Sequence, residues 1–391
     1  MDKYVESLSM VLHREFADEK HVAIICNESA DLDSICSATV LAFHLTQYMK
    51  ISHIPIIACN REDLILRTEA LYAFKQMGLN LAKLLYANDV ISQENKITTV
   101  ILVDNNFINT PHLSNLESRI RGIIDHRPWE VPKSYYSDAY VSSTMETVGS
   151  CATLIAEKVF KENPHFEDNK ALSLLRGCIL LDTANMSAHS KKVTSKDEII
   201  LGEIEARLGE HLPSRLKVFS ELEAAKEDTT SFDCTMLIKK DMKTIHYPGT
   251  ALFPIAVSVI PEQNCLCVLN RDDFDTHISQ LTDPFNKGFS IVILLGSGDI
   301  YDMLLVGPTF NGFKTKIVDA LLNLEDAKMK QIDMKAMCRN NPALDSHLID
   351  RYQVAYLTFQ NKEYSRKKLM PIIKSAVAAE LADRTQGGSK E

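Results

Sequence analysis

Short apolar runs that alternate with helical patterns are the feature of this sequence that most constrains its fold. The runs are rich in β-branched residues and cover 21–26, 53–58, 97–103 and 120–124. Apolar residues at helical spacing predict helices over 34–49, 64–77, 150–160, 169–180 and 195–208. Strands that alternate with helices form a mostly parallel sheet with both faces covered. The sequence therefore predicts an α/β fold for the N-terminal half.

The second half of the chain predicts a smaller α+β domain. Its apolar runs predict strands over 234–238, 253–260, 290–295, 302–307 and 355–359, followed by a helix over 366–382. Residues 209–230 contain Gly209, Pro213 and many charged side chains, which predicts a partly helical linker. We therefore predict domains at 1–208 and 231–382 and a disordered polar tail at 383–391.

Composition disfavours several classes of protein. The 391 residues suffice for two ordinary domains. The formal net charge of −9 argues against nonspecific binding to nucleic acid or to an anionic membrane. No apolar run reaches the roughly 18 residues of a membrane helix, and no secretory or transit signal is recognised. We expect a soluble cytoplasmic protein, with a nuclear pool also allowed.

Cysteine usage agrees with a reducing compartment. The chain has nine cysteines and no CxxC pair. Cys265 and Cys267 alternate as two residues on one face of a strand would. We expect reduced, packed thiols rather than disulfides or a zinc site.

Aspartates follow the predicted strands of the first half, where ligands bind in open parallel sheets. They are Asp31 and Asp33 after 21–26, Asp104 after 97–103, Asp125 after 120–124 and, after the apolar stretch 177–181, Asp182. His126 follows Asp125 directly. Carboxylates brought together need cations or must protonate, and oxygen-rich sites with one imidazole suit Mg²⁺ or Mn²⁺. The pattern predicts a site for two divalent cations; the alternative is that each aspartate only caps a helix or forms a turn.

Four ordered segments resemble the motifs of the DHH phosphoesterase superfamily. They are Asn27-x-x-x-Asp31-x-Asp33-Ser34, Val103-Asp104-Asn105-Asn106, Asp125-His126-Arg127 and Leu181-Asp182-Thr183-Ala184-Asn185-Met186. Further likenesses are Arg61-Glu62-Asp63-Leu64-x-Leu66-Arg67, Val148-Gly149-Ser150-Cys151, Lys240-Asp241-Met242-Lys243 and Ser365-Arg366-Lys367-Lys368. Over about residues 20–375 the chain looks most like the cytosolic exopolyphosphatases and the prune proteins, which are relatives of family II inorganic pyrophosphatases.

The resemblance implies an active site in the cleft between the two domains and a role for each matching residue. The implied ligands of two divalent cations are Asn27, Asp31, Asp33, Asp104, His126 and Asp182, with Asp104 bridging. Asp125 would orient the His126 ring. The implied phosphate-binding residues are Arg127, Lys243, Arg366 and Lys367. A metal-activated water would then hydrolyse phosphoanhydride bonds of short inorganic polyphosphates, with Asp104, His126 and Arg127 as the catalytic residues.

Two positions depart from the pyrophosphatase pattern. Asn27 stands where those enzymes have a histidine ligand, which leads us to expect a preference for Mg²⁺ over Mn²⁺ and Co²⁺, with Mn²⁺ still usable. Arg127 stands where the superfamily has a second histidine. Arginine cannot act as an acid near neutral pH but holds phosphate as a permanent cation, so we expect slow turnover and short substrates.

Other interpretations stay open from sequence alone. The resemblance also allows a cyclic-nucleotide phosphodiesterase, for which Trp129 would be a base-stacking candidate, or a weakly active interaction protein that binds nucleoside diphosphate kinase. Gly149-Ser150 is equally explained as a turn and helix cap or as a phosphate contact. Arg61 could either form a salt bridge or contact the substrate. Thr194 with Asp197 resembles a capping box, which is a structural feature.

Overall fold

The computed structural model describes most of the chain. The described residues are 1–11, 19–108, 110–128, 143–188, 190, 192–210, 212–247, 254–260, 264–283, 288–296, 301–307, 311–341, 344–361 and 363–387. The chain divides into two compact units, Met1–Asp228 and Thr229–Glu391. Within the described residues, no helix has the length and apolar character needed to cross a membrane.

The first unit contains a six-stranded parallel sheet. Its strands are β1 (His21–Ile25), β2 (His53–Ile57), β3 (Leu85–Tyr86), β4 (Ile97–Val103), β5 (Ile120–Asp125) and β6 (Thr144–Met145). They lie in the order β3-β2-β1-β4-β5-β6, and every pair is parallel. All residues of β1 and β2 are buried, as expected for strands covered on both faces. The predicted parallel α/β fold is confirmed.

Helices cover this sheet. They are α1 (Asp2–Val11), α2 (Leu32–Met49), α3 (Thr68–Gln76), α4 (Ala87–Val90), α5 (Cys151–Glu162), α6 (Asn169–Asp182), α7 (Ser195–Leu208) and α8 (Arg215–Glu227). Short 3₁₀ segments span Arg61–Leu66, Leu81–Lys83, Ile91–Lys96 and Pro111–Arg119. The first fourteen residues of α2 are buried, and Asp31 caps it by accepting from Ser34 N. Helix α2 therefore starts at the carboxyl end of β1 and fixes where Asp31 and Asp33 lie.

The predicted linker is largely a helix of the first unit. Helix α8 occupies Arg215–Glu227, and its Leu222 belongs to the same apolar core as the sheet. The boundary between units falls after Asp228. The charged residues of 209–230 lie mainly on the solvent side of α8. The composition of this segment is therefore similar to that of a linker.

The second unit contains a mixed six-stranded sheet. Its strands are β7 (Met242–Ile245), β8 (Ile255–Ile260), β9 (Ile291–Gly296), β10 (Tyr301–Val306), β11 (Lys330–Ile332) and β12 (Ala355–Phe359). The order is β11-β12-β10-β9-β8-β7, in which β8 and β9 are parallel and the other pairs are antiparallel. Alternate residues of β9 pack into two separate apolar cores, Ile291 and Ile293 into one and Val292 and Leu294 into the other. Both faces of the sheet are therefore covered.

The covering helices correct three predictions for this half. They are α9 (Cys234–Lys240), α10 (Cys265–Leu269), α11 (Phe274–Leu281), α12 (Asn311–Leu322), α13 (Met334–Asn340), α14 (Ser346–Tyr352) and α15 (Arg366–Gly387). The predicted strand 234–238 and the strand-like Cys265–Cys267 pattern were wrong, because Asp233 and Asn264 cap helices at these points and short apolar runs do not distinguish helix from strand. The predicted tail is helical as far as Gly387; residues 388–391 lie outside the described residues.

Candidate metal centre

The carboxyl ends of the central strands bring the predicted ligands together. Strands β1, β4 and β5 are neighbours, so the residues that follow them share one edge of the sheet. Among the residues that the structure describes, Asp33, Asp104 and His126 each offer one ligand atom within 4.8 Å of the others. Two of them, Asp33 and Asp104, are almost fully buried. Buried carboxylates beside an imidazole form an arrangement that favours a cation.

Asp104 is the central residue of this cluster. Its φ of 52° lies in the left-handed region, which costs about 1–3 kcal/mol for a residue other than glycine and is typical of functional sites. Its Oδ2 accepts from Asn27 Nδ2 and Ser34 Oγ, each at 2.5 Å. Its buried Oδ1 lies 3.2 Å from His126 Nε2 and 3.1 Å from Arg127 Nη2. Burial raises the pKa of Asp104 to about 7, and the charges of Asp33 and Asp31 add to this effect.

Asp33 faces the first turn of α5. Its Oδ2 accepts from Cys151 N at 2.7 Å and its Oδ1 from Ala152 N at 2.8 Å. Unpaired N–H groups and the helix dipole favour an anion at this end of a helix. Burial nevertheless raises the pKa of the Asp33 carboxyl. A cation at this point would offset the cost of the buried charge.

His126 presents one ring nitrogen to the carboxylates. Its Nδ1 lies 2.9 Å from Val148 O, and because a carbonyl only accepts, Nδ1 carries the proton. Nε2 then faces Asp104 Oδ1 at 3.2 Å. Burial alone lowers the pKa of His126, but the Asp104 and Asp33 carboxylates outweigh it and raise the pKa to about 9. The Nε2 proton thus occupies the place that a metal ion would take, and the residues fit a divalent cation.

Two further aspartates complete the acidic cluster. Burial, followed by the charges of Asp33, Asp31 and Asp104, holds the pKa of the Asp182 carboxyl well above its ordinary value. Asp182 ends α6. Asp31 uses Oδ1 to cap α2 through Ser34 N at 3.0 Å, so its capping role is compatible with ligation through Oδ2. Asp31 and Asp182 thus lie near enough to Asp33 and Asp104 for their charges to interact, whereas the group within 4.8 Å comprises Asp33, Asp104 and His126. The roles of all five residues as ligands stay a prediction.

Asn27 is placed differently from the prediction. Its Oδ1 accepts from Ser29 N at 2.8 Å and Ala30 N at 3.2 Å. Two backbone donors settle the orientation of the amide, so Nδ2 faces the cluster and donates to Asp104 O and Oδ2. In this structure Asn27 therefore contacts Asp104 through its nitrogen, and its role as a metal ligand stays a prediction. These contacts do not add support for a choice between cations.

Asp125 holds the backbone of its own turn. Its Oδ1 accepts from His126 N at 2.7 Å and Arg127 N at 3.2 Å, and its Oδ2 from Asn106 Nδ2 at 2.7 Å. The prediction that Asp125 orients the His126 ring was wrong, since the Val148 carbonyl does so. The sequence analysis included Val148 in a motif but missed its contact with His126, because a backbone carbonyl has no signature in the residue type.

Arg127 lies beside the carboxylates with 40% of its side chain exposed. Its Nη1 donates to Asp104 O at 2.6 Å, and its Nη2 lies 3.1 Å from Asp104 Oδ1. The guanidinium is therefore a permanent cation at the mouth of the acidic cluster. Arg61, by contrast, has a structural role: it donates to Ala82 O, Leu84 O and Asp89. Trp129 lies outside the described residues.

In the second unit, the structure brings the two basic motifs together. Arg366, the first residue of α15, pairs through Nη2 with Asp241 Oδ1 at 2.7 Å and also donates to Asp241 O. Asp241 directly precedes β7, which carries Lys243. Lys243 and Lys367 are exposed. The Arg366–Asp241 contact thus joins the segments that carry these three cations.

Comparison with known proteins agrees with this arrangement. The N-terminal domain of the DHH family matches residues 21–181, and the DHHA2 domain matches residues 220–376. The exopolyphosphatase PRUNE1 of Rattus norvegicus is 29% identical over 94% of this chain and 78% of its own length. That of Homo sapiens is 28% identical over 91% and 75%. A putative exopolyphosphatase of Schizosaccharomyces pombe is 29% identical over 56% and 58%.

Both halves of the chain thus match adjoining domains of one family, in the expected order. The boundary between the units, after Asp228, lies near the start of the DHHA2 match. The aspartates and the histidine that form the acidic cluster come from the DHH half or directly follow it. The chain therefore belongs to the DHH family, with a DHH domain joined to a DHHA2 domain, and it is a hydrolase.

Proposed function

We propose that this chain is a metal-dependent exopolyphosphatase that hydrolyses phosphoanhydride bonds of short inorganic polyphosphates. The observation that carries the proposal is the approach of the Asp33 and Asp104 carboxylates and the His126 Nε2 to one point. The relatives that are named exopolyphosphatases over most of this chain support the substrate class. Asp31 and Asp182 supply enough further oxygen donors for two cations.

The chain's own residues would prepare the reaction as follows. Divalent cations, when bound, lower the pKa of a coordinated water and neutralise phosphate charge. The Val148 carbonyl keeps Nε2 of His126 directed at the site. Asn27 and Ser34 hold Oδ2 of Asp104, and Oδ1 faces His126 and Arg127. Arg127 supplies fixed positive charge where phosphate charge develops.

The cation is proposed to be Mg²⁺, with Mn²⁺ as a substitute. Four carboxylates and one imidazole make a donor set dominated by hard oxygen atoms, which suits both ions. The support for Mg²⁺ comes from this donor set and not from Asn27, whose oxygen is bound to its own loop.

Lys243, Arg366 and Lys367 are proposed to bind the phosphates of the substrate. A chain with a net charge of −9 needs local positive charge to attract a polyanion. The pairing of Arg366 with Asp241 supports this role because it places the two basic motifs of the second unit side by side.

The test is phosphate release from pyrophosphate, triphosphate, tetraphosphate and long-chain polyphosphate, measured side by side with AMP formation from cyclic AMP, in the presence of Mg²⁺, Mn²⁺ or Co²⁺. Triphosphate and tetraphosphate should be the best substrates, and the double substitution Asp33→Ala, Asp104→Ala should abolish release. Absence of turnover with every metal would refute the proposal. Faster hydrolysis of cyclic AMP than of triphosphate would indicate a phosphodiesterase.

A further inference from the structure

One short backbone segment makes three contacts with the candidate metal centre. We call residues 148–153, which lead into and begin α5, the 148–153 turn. Its contacts are Val148 O with His126 Nδ1 at 2.9 Å, Cys151 N with Asp33 Oδ2 at 2.7 Å and Ala152 N with Asp33 Oδ1 at 2.8 Å. The orientation of two of the three clustered ligands therefore depends on where this turn lies.

Asp197, in the first turn of α7, binds the 148–153 turn at two points. Its carboxylate is fully buried. Its Oδ2 accepts from Gly149 N at 2.9 Å, and its Oδ1 accepts from Thr153 Oγ1 at 2.6 Å. Oδ2 also accepts from Thr194 N at 2.8 Å and Thr194 Oγ1 at 2.7 Å, which closes the cap of α7.

The turn has no room to move towards its neighbours. A Cβ on Gly149 would lie 2.6 Å from Thr183 Cγ2 and 3.1 Å from Asp197 Oδ2. Thr183 directly follows Asp182 at the end of α6. Gly149 is thus enclosed between Thr183, at the end of α6, and the Asp197 carboxylate, in the first turn of α7. Only glycine fits there.

A capping role alone does not explain these contacts. The capping box needs only Thr194 and Asp197, whereas the same carboxylate also binds Gly149 and Thr153, which lie 48 and 44 positions earlier in the chain. We propose that Asp197 is a positioning residue of the metal centre, which sets Asp33 and His126 by fixing the 148–153 turn. This inference rests on the proposed metal site and adds a residue that touches neither metal nor substrate.

Metal binding by variants tests the inference. Mn²⁺ is titrated calorimetrically into the metal-free full-length protein. Asp197→Ala should weaken Mn²⁺ binding about 10- to 100-fold, the effect that loss of a ligand-orienting contact usually has, and Asp197→Asn should restore most of it, since its amide oxygen still accepts from Gly149 N. The matched control Thr194→Ala weakens the cap of α7 but leaves the 148–153 turn bound, so its Mn²⁺ affinity should equal that of the wild type.

A second measurement does not depend on metal. In the metal-free protein, amide hydrogen exchange of Cys151 and Ala152 should be faster in Asp197→Ala and unchanged in Thr194→Ala. Should Asp197→Ala fail to fold, Gly149→Ala and the milder Thr153→Val disturb the same turn with the carboxylate in place and should show the same two effects.

Wild-type Mn²⁺ affinity and wild-type exchange in these variants would overturn the inference. Failure of the wild type to bind Mn²⁺ or to release phosphate would count against the proposed function. The exchange result would still decide whether Asp197 holds the turn.

Discussion

Asp104→Asn should make the metal-free protein more stable while it removes the metal site. The substitution fits the surroundings of Asp104. An amide oxygen in the place of Oδ2 still accepts from Asn27 and Ser34. The substitution removes the carboxylate that keeps the His126 ring protonated, so an amide nitrogen in the place of Oδ1 can donate to the neutral Nε2, which is 3.2 Å away. Asparagine also tolerates the left-handed backbone, at φ 52°, better than most residues.

The magnitude follows from the raised pKa of Asp104. Its pKa is about 7 in the folded protein and 3.8 ordinarily, and a difference of about three pH units corresponds to about 4 kcal/mol of unfolding free energy at most. Because the folded pKa is the higher one, the protonated Asp104 carboxyl contributes its full stabilisation below about pH 4. That contribution is lost as the pH rises through 7. The gain from Asp104→Asn is therefore greatest above pH 7 and disappears towards pH 4. At pH 8 we expect about 2–4 kcal/mol rather than the full amount, because the substitution also removes the favourable charge interactions of Asp104 with His126 and Arg127.

Urea unfolding with EDTA, followed by circular dichroism at pH 8 and pH 5, measures this effect. Saturating Mn²⁺ should stabilise the wild type, by about 2.7 kcal/mol at 100 times Kd, and leave Asp104→Asn unchanged. The control Asp125→Asn removes a buried carboxylate that accepts three N–H groups and should not stabilise. The reasoning would be refuted if metal-free Asp104→Asn were less stable than the wild type at pH 8. It would also be refuted if the difference in unfolding free energy between the two proteins were the same at pH 8 and pH 5.

Three further predictions concern binding and turnover. Because the pKa of His126 is about 9, a cation must displace a proton from this ring below that pH. The Mn²⁺ affinity measured by calorimetry should therefore rise about tenfold from pH 7 to pH 8 and level off above pH 9. An affinity that does not change with pH would exclude His126 as a ligand. Arg127→His should raise kcat for triphosphate, measured by phosphate release, and loss of activity would show that Arg127 has another role. Arg366→Ala should raise KM for triphosphate several-fold without changing Mn²⁺ affinity, whereas the control Arg61→Ala should lower stability and leave KM unchanged.

The sequence by itself determined the parallel sheet and the identity of the acidic cluster. The apolar runs that became β1, β4 and β5 are each followed or ended by aspartate, and the carboxyl ends of adjacent parallel strands meet at one edge. Side-chain type and position after a strand were therefore enough to predict that Asp33, Asp104 and His126 share one edge, and the order of β1, β4 and β5 in the sheet was supplied by the structure. A short apolar run does not distinguish a strand from a helix. For this reason the segment 234–238 was predicted as a strand, whereas it lies in helix α9.

Only the tertiary structure decided how those ligands are held. The same amide of Asn27 could present oxygen or nitrogen to the cluster, and the N–H groups of Ser29 and Ala30 decided for nitrogen. The Val148 carbonyl orients His126, and Asp197, which resembled a simple helix cap, fixes the turn that carries Val148. Backbone donors and acceptors are the same for every residue type, so the contacts that orient a ligand depend on chain packing.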